Sequence, residues 1–260
     1  MSYKVGFIGA GNMGKILAGI VCKNIGGENV VVCCSTPEHS KTVAEELGCR
    51  YDAVENILKG CDYIYLGYKP SSLQDYGSYF VNADAVIISM LAGVDIATIH
   101  GHFPGVINKI IRIMPNTPCK IGKGVVLYTH SGDVSPAEIE DFTAMLKGCG
   151  LVDKINEDKF DIAGAITGCG PAFCYAFINA LAEGGVLNGL NKADALKYAS
   201  YTVLGSAEML PQTGAHPYEL IDAVCSPGGT TIEGMRTLQK GGFDYTVSGA
   251  VTSAYKKSIK

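Results

Sequence analysis

The sequence has few charged residues and no run of lysine or arginine. Charged side chains make up 18% of the 260 residues, and 21 Lys and Arg against 25 Asp and Glu leave a net charge of −4. We therefore expect no nucleic-acid partner, because such proteins carry a basic patch that neutralises phosphates. With 47% hydrophobic residues, the chain can bury the core of one large domain or two smaller ones.

The sequence also lacks the marks of export, membrane insertion and metal binding. Its apolar N-terminus is interrupted by glycines, Asn12 and Lys15, and no A-x-A cleavage site follows. No uninterrupted apolar run reaches the roughly 18 residues of a membrane span. None of the ten cysteines forms a C-x-x-C pair or a spaced ligand cluster. We expect a cytoplasmic protein with reduced, mostly buried cysteines, no membrane partner and no metal.

A glycine motif near the start is the most informative feature that is present. Gly9, Gly11 and Gly14 form G-x-G-x-x-G between the apolar run of residues 5–8 and a helix-compatible segment. In a strand–turn–helix context these glycines allow a tight turn, close approach of a pyrophosphate and close helix packing. The pattern predicts a dinucleotide site at a helix N-terminus. The alternative is a glycine-rich turn without a ligand.

The first part of the sequence alternates strand-like and helix-like segments, which indicates a parallel sheet covered on both faces. The expected strands are Lys4–Ile8, Asn29–Cys34, Asp62–Gly67, Ala85–Ser89, Lys109–Ile113 and Gly124–His130. The expected helices are Met13–Lys23, Pro37–Leu47, Val54–Lys59, Leu73–Phe80, Ile96–Gly101 and Pro136–Lys147. Ligands of such sheets bind at the carboxyl ends of the strands.

After about residue 157 the strand-like segments disappear. The expected helices there are Pro171–Leu190, Lys192–Pro211, Pro217–Val224, Thr230–Gln239 and Tyr245–Ile259. Several are apolar around most of their circumference and need a cover on every side. We predict a subunit interface formed by this half, with a self-contained bundle as the alternative. The domains are then 1–157 and 158–260.

The segment after the second strand bears on the choice of cofactor. It carries Ser35 and Thr36, and no Asp or Glu that would hold a ribose 2′-OH. Two hydroxyls can donate to a 2′-phosphate, which favours NADPH, with NADH as the alternative. Ser35 and Thr36 could instead only cap the next helix. Lys69, with Pro70, either borders the cofactor or is a surface residue. Tyr65 and Lys69 match Y-x-x-x-K, but they lie on a strand end and not on the helix of short-chain dehydrogenases.

Two further segments are candidates for the chemistry. The loop Met114–Pro118 either walls the nicotinamide pocket or connects domains. Ser226–Ile232 places two glycines and two threonines at a helix start, which is either an anion site for a substrate carboxylate or an ordinary N-cap. No histidine is placed to act as a general base. That absence suits reduction of a protonated imine better than alcohol oxidation.

These segments resemble pyrroline-5-carboxylate reductases over nearly the whole chain. The resemblance rests on residues 6–13, Lys69-Pro70, residues 92–94, Met114–Pro118, residues 168–173 and Ser226–Ile232. It implies a Rossmann domain, that is a doubly wound α/β sheet, followed by an all-helical dimerisation domain. It also implies a homodimer that assembles further, and NADPH or NADH as cofactor.

The resemblance and the motifs together assign the site residues. The expected cofactor-binding residues are Ile8, Gly9, Ala10, Gly11, Asn12, Met13, Gly14, Ser35, Thr36, Lys69, Ala92 and Ala223. The expected substrate-binding residues are Glu157, Gly229, Thr230 and Thr231. Cys169, Phe173 and Val54 depart from the usual family pattern, and so does the absence of Asn-Arg after the second strand.

The expected reaction is hydride transfer to the imine carbon of 1-pyrroline-5-carboxylate, which gives L-proline. Thr231 is the expected catalytic residue, bonding the ring nitrogen and orienting the imine. Two alternatives remain. A β-hydroxyacid-type dehydrogenase would carry a catalytic Lys on the first long helix of the second domain, and residues 171–190 contain none. A nucleotide sensor would bind the cofactor without consuming it.

Overall fold

The structure is a computed structural model that describes residues 3–76, 84–103 and 108–259. Its contacts divide the chain into two compact units. The first comprises Met1–Gly168 and Tyr255–Lys260, and the second comprises Cys169–Ala254. The predicted domain boundary at 157 and 158 rests on a change in sequence pattern, and it stays a prediction.

The first unit is built on an eight-stranded sheet with the order β3-β2-β1-β4-β5-β6-β7-β8. All neighbouring strands are parallel except β6 and β7. The strands are β1 Tyr3–Ile8, β2 Val30–Cys33, β3 Arg50–Tyr51, β4 Cys61–Leu66, β5 Val86–Ser89, β6 Ile110–Pro115, β7 Gly124–His130 and β8 Gly150–Lys154. Strands β3 and β8 were not predicted. Both are short or largely exposed, so neither carries a strong apolar pattern.

The reversal at β7 follows from the length of its connection. Residues 116–123, with a 3-10 turn over Thr117–Ile121, are too short for the crossover that a parallel neighbour requires. The chain therefore turns back and β7 pairs antiparallel to β6, in the register Ile113 opposite Tyr128. The doubly wound sheet confirms the predicted fold class, with this reversed edge as an addition.

Helices cover both faces of the sheet. On one face, Val5, Val32 and Tyr65 pack with residues of α1, α2 and α6, and on the other Ile8, Ile64 and Ile87 pack with α3 and α5. Alternation of the strand residues between the two clusters is the period-2 pattern of a strand buried on both sides. The helices are α1 Asn12–Ile25, α2 Pro37–Leu47, α3 Val54–Gly60, α4 Leu73–Tyr76, α5 Ile96–His102 and α6 Pro136–Met145.

Most predicted helices begin where the sequence signals place them. Thr36 caps α2 and Ser135 caps α6, and each is followed by proline at the first helical position. The predicted helix 73–80 is described only as far as Tyr76, and its last residues lie outside the described residues.

The second half of the chain is helical. Its elements are α7 Glu157–Leu187, α8 Lys192–Thr213, α9 Pro217–Val224, α10 Thr230–Lys240 and α11 Phe243–Ser258. The prediction that the first of these begins at Pro171 was wrong, because α7 begins at Glu157 and contains Pro171 in its interior. Proline is a frequent helix start, and that preference misled the prediction.

The second unit has almost no core of its own. Within residues 169–254, all described, the buried hydrophobic cluster consists of Ala182, Ala195 and Ala199. Large apolar side chains such as Leu187 (86% exposed), Tyr201 (73%) and Tyr245 (84%) face outwards. A helical unit with this distribution needs another surface to cover it.

One helix of the described residues is long and apolar enough, by length and composition, to cross a membrane. It is α7, and 11% of its apolar window is buried. The sequence-based expectation counted only uninterrupted apolar runs. Helix α7 meets the limit because its hydropathy is averaged over a window that includes glycine- and alanine-rich turns. Core helices of other proteins pass the same test.

Candidate active site

The turn between β1 and α1 has the geometry that the glycine motif predicts. Gly9 has φ +90°, and a Cβ there would lie 2.6 Å from the backbone of Gly67 and Tyr68. The Gly9 N–H donates to the Cys33 carbonyl at 2.7 Å. A Cβ on Gly14 would collide with the Gly9 carbonyl oxygen. Gly9 and Gly14 are therefore required by the fold of the turn itself.

Gly11 differs from these two glycines because its missing side chain leaves open space. A Cβ at Gly11 would meet no atom within 4 Å. Gly11 is the N-cap of α1, makes no side-chain capping bond, and is followed by no acidic residue in the first turn. The backbone N–H groups of this turn are thus available to an anion at the positive end of a 14-residue helix. This cradle fits a pyrophosphate.

A cavity of about 270 Å³ adjoins this turn. The predicted residues Ile8, Gly9, Ala10, Gly11 and Ser35 line it together. The remaining lining residues were not among the predicted site residues, and they are Cys33, Cys34, His39, Tyr68, Ser72 and Tyr76.

Tyr68 stands out among the missed residues. Its ring packs against that of Tyr76 with centroids 4.4 Å apart, and its buried hydroxyl has no partner among the described residues. Burial raises the pKa of Tyr68 above its usual value, so the hydroxyl stays protonated. Its position directly before Lys69-Pro70, at a strand end, was the only available signal in the sequence.

The other predicted cofactor residues occupy several environments. Thr36 caps α2, with its Oγ1 accepting the His39 N–H at 3.2 Å, so the capping alternative holds for this hydroxyl. Lys69 and Ala92 are exposed and follow β4 and β5, the next strands along from β1. Carboxyl ends of neighbouring parallel strands meet at one edge of a sheet. Asn12 and Met13 open α1.

Glu157 begins α7 and is tied to two other elements of the first unit. Its Oε1 accepts the Ile96 N–H at 2.9 Å, at the N-terminus of α5, and lies 3.8 Å from the Arg112 guanidinium. Arg112 is 2% exposed and also donates to Asp161 at 2.6 Å. Its guanidinium lies 4.3 Å from the centre of the Phe160 ring. The side chain of Glu157 keeps 38% exposure.

The predicted anion site of the second unit lies at the start of α10. Gly228 has φ +67°, and the Gly229 N–H donates to the Ser226 carbonyl at 3.0 Å, which closes the turn. Helix α10 begins at Thr230, as predicted, and ends at Lys240, one residue later than predicted; Gly229 is its N-cap. Thr230 and Thr231 are exposed. Ala223 lies near the end of α9, beside an apolar cavity of about 400 Å³ between α8 and α9.

The predicted residues therefore fall into two groups. Glu157 and all cofactor residues except Ala223 belong to the first unit, and Ala223, Gly229, Thr230 and Thr231 belong to the second. Within the described residues, no group of three or more His, Cys, Asp or Glu side chains could hold a metal ion.

Comparison with known proteins finds a matching family model for each part of the chain. A family model described as pyrroline-5-carboxylate reductase dimerisation matches residues 157–260. A model described as NADP oxidoreductase, coenzyme F420-dependent, matches residues 4–93. The pyrroline-5-carboxylate reductases of Aquifex aeolicus and Escherichia coli are 36% and 35% identical, and each match covers 100% of this chain and 98% of the relative.

Solved structures give the same result. The 1-pyrroline-5-carboxylate reductase of Streptococcus pyogenes has a TM-score of 0.90 at 33% identity, covering 99% of this chain and 98% of that one. The Plasmodium falciparum pyrroline carboxylate reductase, solved with NADP bound, has a TM-score of 0.87 at 32% identity, covering 99% and 97%. The chain therefore belongs to the pyrroline-5-carboxylate reductase family of NAD(P)H-dependent oxidoreductases.

Proposed function

We propose that the chain reduces 1-pyrroline-5-carboxylate to L-proline, the final step of proline biosynthesis, by binding NADPH at the β1–α1 turn and the substrate carboxylate at the start of α10. One observation carries the proposal. Each unit contains a helix whose N-cap residue is a glycine, so no capping side chain occupies the N-terminal amides. These helices are α1, with Gly11, and α10, with Gly229. Such amides bind anionic groups, and the reaction needs two, a pyrophosphate and a carboxylate.

NADPH is the proposed cofactor because of the chemistry of the cavity beside Gly11. Ser35 and His39 line that cavity, and its described lining residues include no Asp or Glu that would repel a 2′-phosphate. Thr36 is proposed to contact the cofactor through its backbone, since its hydroxyl already caps α2. Lys69 and Ala92, at the ends of β4 and β5, are proposed to contact the nicotinamide half. NADH is the alternative donor.

The substrate residues are proposed to bind the substrate and to orient it for hydride transfer. The amides of Gly229, Thr230 and Thr231 hold the carboxylate, and the Thr231 hydroxyl bonds the ring nitrogen and orients the C=N bond. Glu157 borders the substrate, and Ala223 borders the nicotinamide. Glu157 is fixed in place by Ile96 and Arg112, which would let it act as a rigid wall.

When bound, NADPH supplies the hydride that adds to the imine carbon. The chain's own residues do the rest. The positive end of α10 neutralises the substrate carboxylate, and Thr231 holds the ring nitrogen, at which the product N–H remains. Orientation of an iminium that is already protonated removes the need for a strong general base, in keeping with the absence of a suitably placed histidine.

The proposed assembly is a homodimer formed through residues 158–260, with further association of dimers. The exposed apolar side chains of the second unit support it. The small-molecule substrate is the proposed ligand of the chain, with no nucleic-acid or membrane partner, and the cytoplasm is the proposed location. Ten free thiols suit a reducing compartment.

A single assay tests the function. Purified protein is mixed with NADPH and 1-pyrroline-5-carboxylate, and loss of absorbance at the reduced-nicotinamide band is followed together with proline formation. The proposal requires stoichiometric loss of both reactants, and NADH is run in parallel. Cofactor binding without turnover would identify a sensor. Turnover with hydroxy acids, but not with 1-pyrroline-5-carboxylate, would identify a β-hydroxyacid-type dehydrogenase.

A further inference from the structure

Helix α7 contains a proline in its interior and yet runs without a break over Glu157–Leu187. In an α-helix the carbonyl of residue i accepts the N–H of residue i+4. Residue 171 is proline and has no N–H, so the Thr167 carbonyl has lost its helical donor. An unpaired buried carbonyl is costly, and another donor is expected at this point.

That donor is the side chain of Asn116. Its Nδ2 donates to the Thr167 carbonyl oxygen at 2.9 Å, across 51 residues of sequence. The same side chain accepts the Val125 N–H through Oδ1 at 2.9 Å. Asn116 itself is buried, with 9% of its surface exposed. The amide therefore connects the loop after β6, the strand β7 and one carbonyl of α7.

The helix face around Thr167 fits the same loop closely. A Cβ at Gly164 would lie 3.2 Å from Met114 Cε, and one at Gly168 would lie 3.9 Å from Met114 Sδ. Residues 164, 167 and 168 share one face of the helix. Sequence analysis left open whether Met114–Pro118 walls a pocket or connects domains. In the structure, Met114 at the end of β6 and Asn116 just after it pack against the part of α7 that belongs to the first unit.

We propose that Asn116 is a positioning residue for the reduction, because it supplies the hydrogen bond that Pro171 withholds from Thr167. It fixes α7 at the point where this helix continues from the unit that binds the cofactor into the unit that carries Thr231. The kinetic part of this inference rests on the proposed function. The hydrogen-bond part does not, because it concerns the folded chain alone.

Two substitutions isolate the bond between Asn116 and the Thr167 carbonyl. Asn116→Asp keeps an acceptor for the Val125 N–H, but a carboxylate cannot donate to the Thr167 carbonyl. Pro171→Ala restores a backbone N–H that can serve this carbonyl within the helix. If Asn116 acts as proposed, its substitution lowers kcat/KM and the thermal midpoint when residue 171 is proline. The same substitution lowers both quantities less when residue 171 is alanine.

The experiment is a double-mutant cycle of N116D and P171A. N116D is expected to lower kcat/KM for 1-pyrroline-5-carboxylate about fivefold to tenfold, the range for one lost hydrogen bond. The Kd for NADPH is expected to stay within about twofold, since the β1–α1 turn is not involved. In the P171A background, N116D is expected to change kcat/KM less than about twofold.

Asn24→Ala is the matched control. The Asn24 amide also joins two segments of the first unit, donating to the carbonyls of Met145 and Lys147 at 2.8 and 2.9 Å, and neither partner belongs to α7. It is expected to lower the thermal midpoint without lowering kcat/KM. An equal kinetic loss in N24A and N116D at equal loss of midpoint would overturn a positioning role.

Thermal midpoints of the four cycle members are read without substrate. The proposal requires the midpoint loss from N116D to be smaller in P171A than in the native background. Equal losses would overturn it, even if the wild type reduces 1-pyrroline-5-carboxylate. Should N116D alone not fold, folding of N116D/P171A supports the bond, and failure of both contradicts it. A wild type that does not turn over would overturn the proposed function, while the midpoint coupling would still stand.

Discussion

The Arg112 guanidinium lies 2.6 Å from a carboxylate oxygen of Asp161, and only 2% of the arginine side chain is exposed. This pair joins β6, an inner strand of the sheet, to the second turn of α7. The helix that leads towards the second half of the chain is thus fixed to the sheet by a charged contact as well as by packing against Met114. Removal of Asp161 would leave the buried Arg112 charge with only its longer contact to Glu157, at 3.8 Å, and a buried charge that loses its close partner destabilises the fold.

Asp161→Ala is therefore expected to lower the free energy of unfolding by about 3 kcal/mol. Urea denaturation measures it. The matched control is Asp158→Ala, because Asp158 pairs with Lys159 at 3.3 Å with both side chains 66% exposed. Exposed pairs contribute at most about 1 kcal/mol. Similar losses of unfolding free energy in D161A and D158A would contradict a stabilising pair between the buried Arg112 and Asp161.

Gly11 and Gly9 are expected to respond differently to alanine. Gly11→Ala has room for its Cβ and a normal backbone conformation, so its thermal midpoint should stay close to the wild type. The added methyl group would occupy the space proposed for the pyrophosphate, and the Kd for NADPH should rise at least about tenfold. Gly9→Ala should instead fold poorly, because φ is +90° and the Gly67 backbone lies in the way.

Fluorescence titration with NADPH and thermal unfolding measure the two effects separately. A G11A variant with wild-type NADPH affinity would place the pyrophosphate elsewhere.

Thr231→Ala is expected to lower kcat/KM for 1-pyrroline-5-carboxylate by roughly 10²-fold, because the hydroxyl that orients the C=N bond for hydride transfer is lost. Thr231→Ser keeps the hydroxyl and should retain most activity. Thr237→Ala on the same helix is the control, because the Thr237 hydroxyl only donates to the Glu233 carbonyl at 3.1 Å. Steady-state kinetics at saturating NADPH measure all three. Wild-type turnover of T231A would remove Thr231 from the mechanism.

Leu187→Glu is expected to weaken self-association, since Leu187 is 86% exposed on a unit that lacks a core. An unpaired carboxylate buried in an interface costs on the order of 3 kcal/mol, or more than a hundredfold in the dissociation constant. Sedimentation at several concentrations measures the mass. Ile121→Glu, at a 76% exposed position of the first unit, should leave the mass unchanged. A lower mass for I121E, with an unchanged mass for L187E, would show that the interface lies in the first unit instead.

The Glu138–Lys109 pair gives the unfolding free energy a dependence on pH. Burial raises the pKa of Glu138, but the hydrogen bonds from Lys109, at 2.8 Å, and from Ser135 outweigh it, and the pKa lies below its usual value. The hydrogen bond to Glu138 also raises the pKa of Lys109. A lowered carboxyl pKa stabilises the fold above the unfolded-state value of about 4.3, and this stabilisation is lost as pH falls further.

Glu138→Gln should therefore reduce the free energy of unfolding by about 1 kcal/mol at pH 7, and the difference from wild type should shrink below about pH 4.3. On the alkaline side, the contribution of Lys109 is present below about pH 10.4 and declines as pH rises through its higher folded-state pKa. Urea midpoints across this range measure the effect. The exposed Glu140 on the same helix provides the control variant E140Q, which should show no such dependence.

The sequence by itself determined the elements whose signals lie among adjacent residues. The glycine motif predicted the β1–α1 turn, proline after a capping residue located the starts of α2, α6 and α9, and Gly228-Gly229 located the start of α10. Strand β7 was predicted at its observed bounds. In each case the backbone conformation depends on a few neighbouring residues, so a local pattern is sufficient.

The tertiary structure alone decided where α7 begins, the reversal at β7 and the position of the unpartnered Tyr68 hydroxyl in the cofactor cavity. Proline within a helix is tolerated only if another group satisfies the freed carbonyl, and here that group, Asn116, lies 51 residues away from Thr167. Arg112 likewise finds Asp161 only in the folded chain. Hydrogen bonds and ion pairs between distant residues leave no local pattern, because their partners are brought together only by the packing of the sheet and its helices.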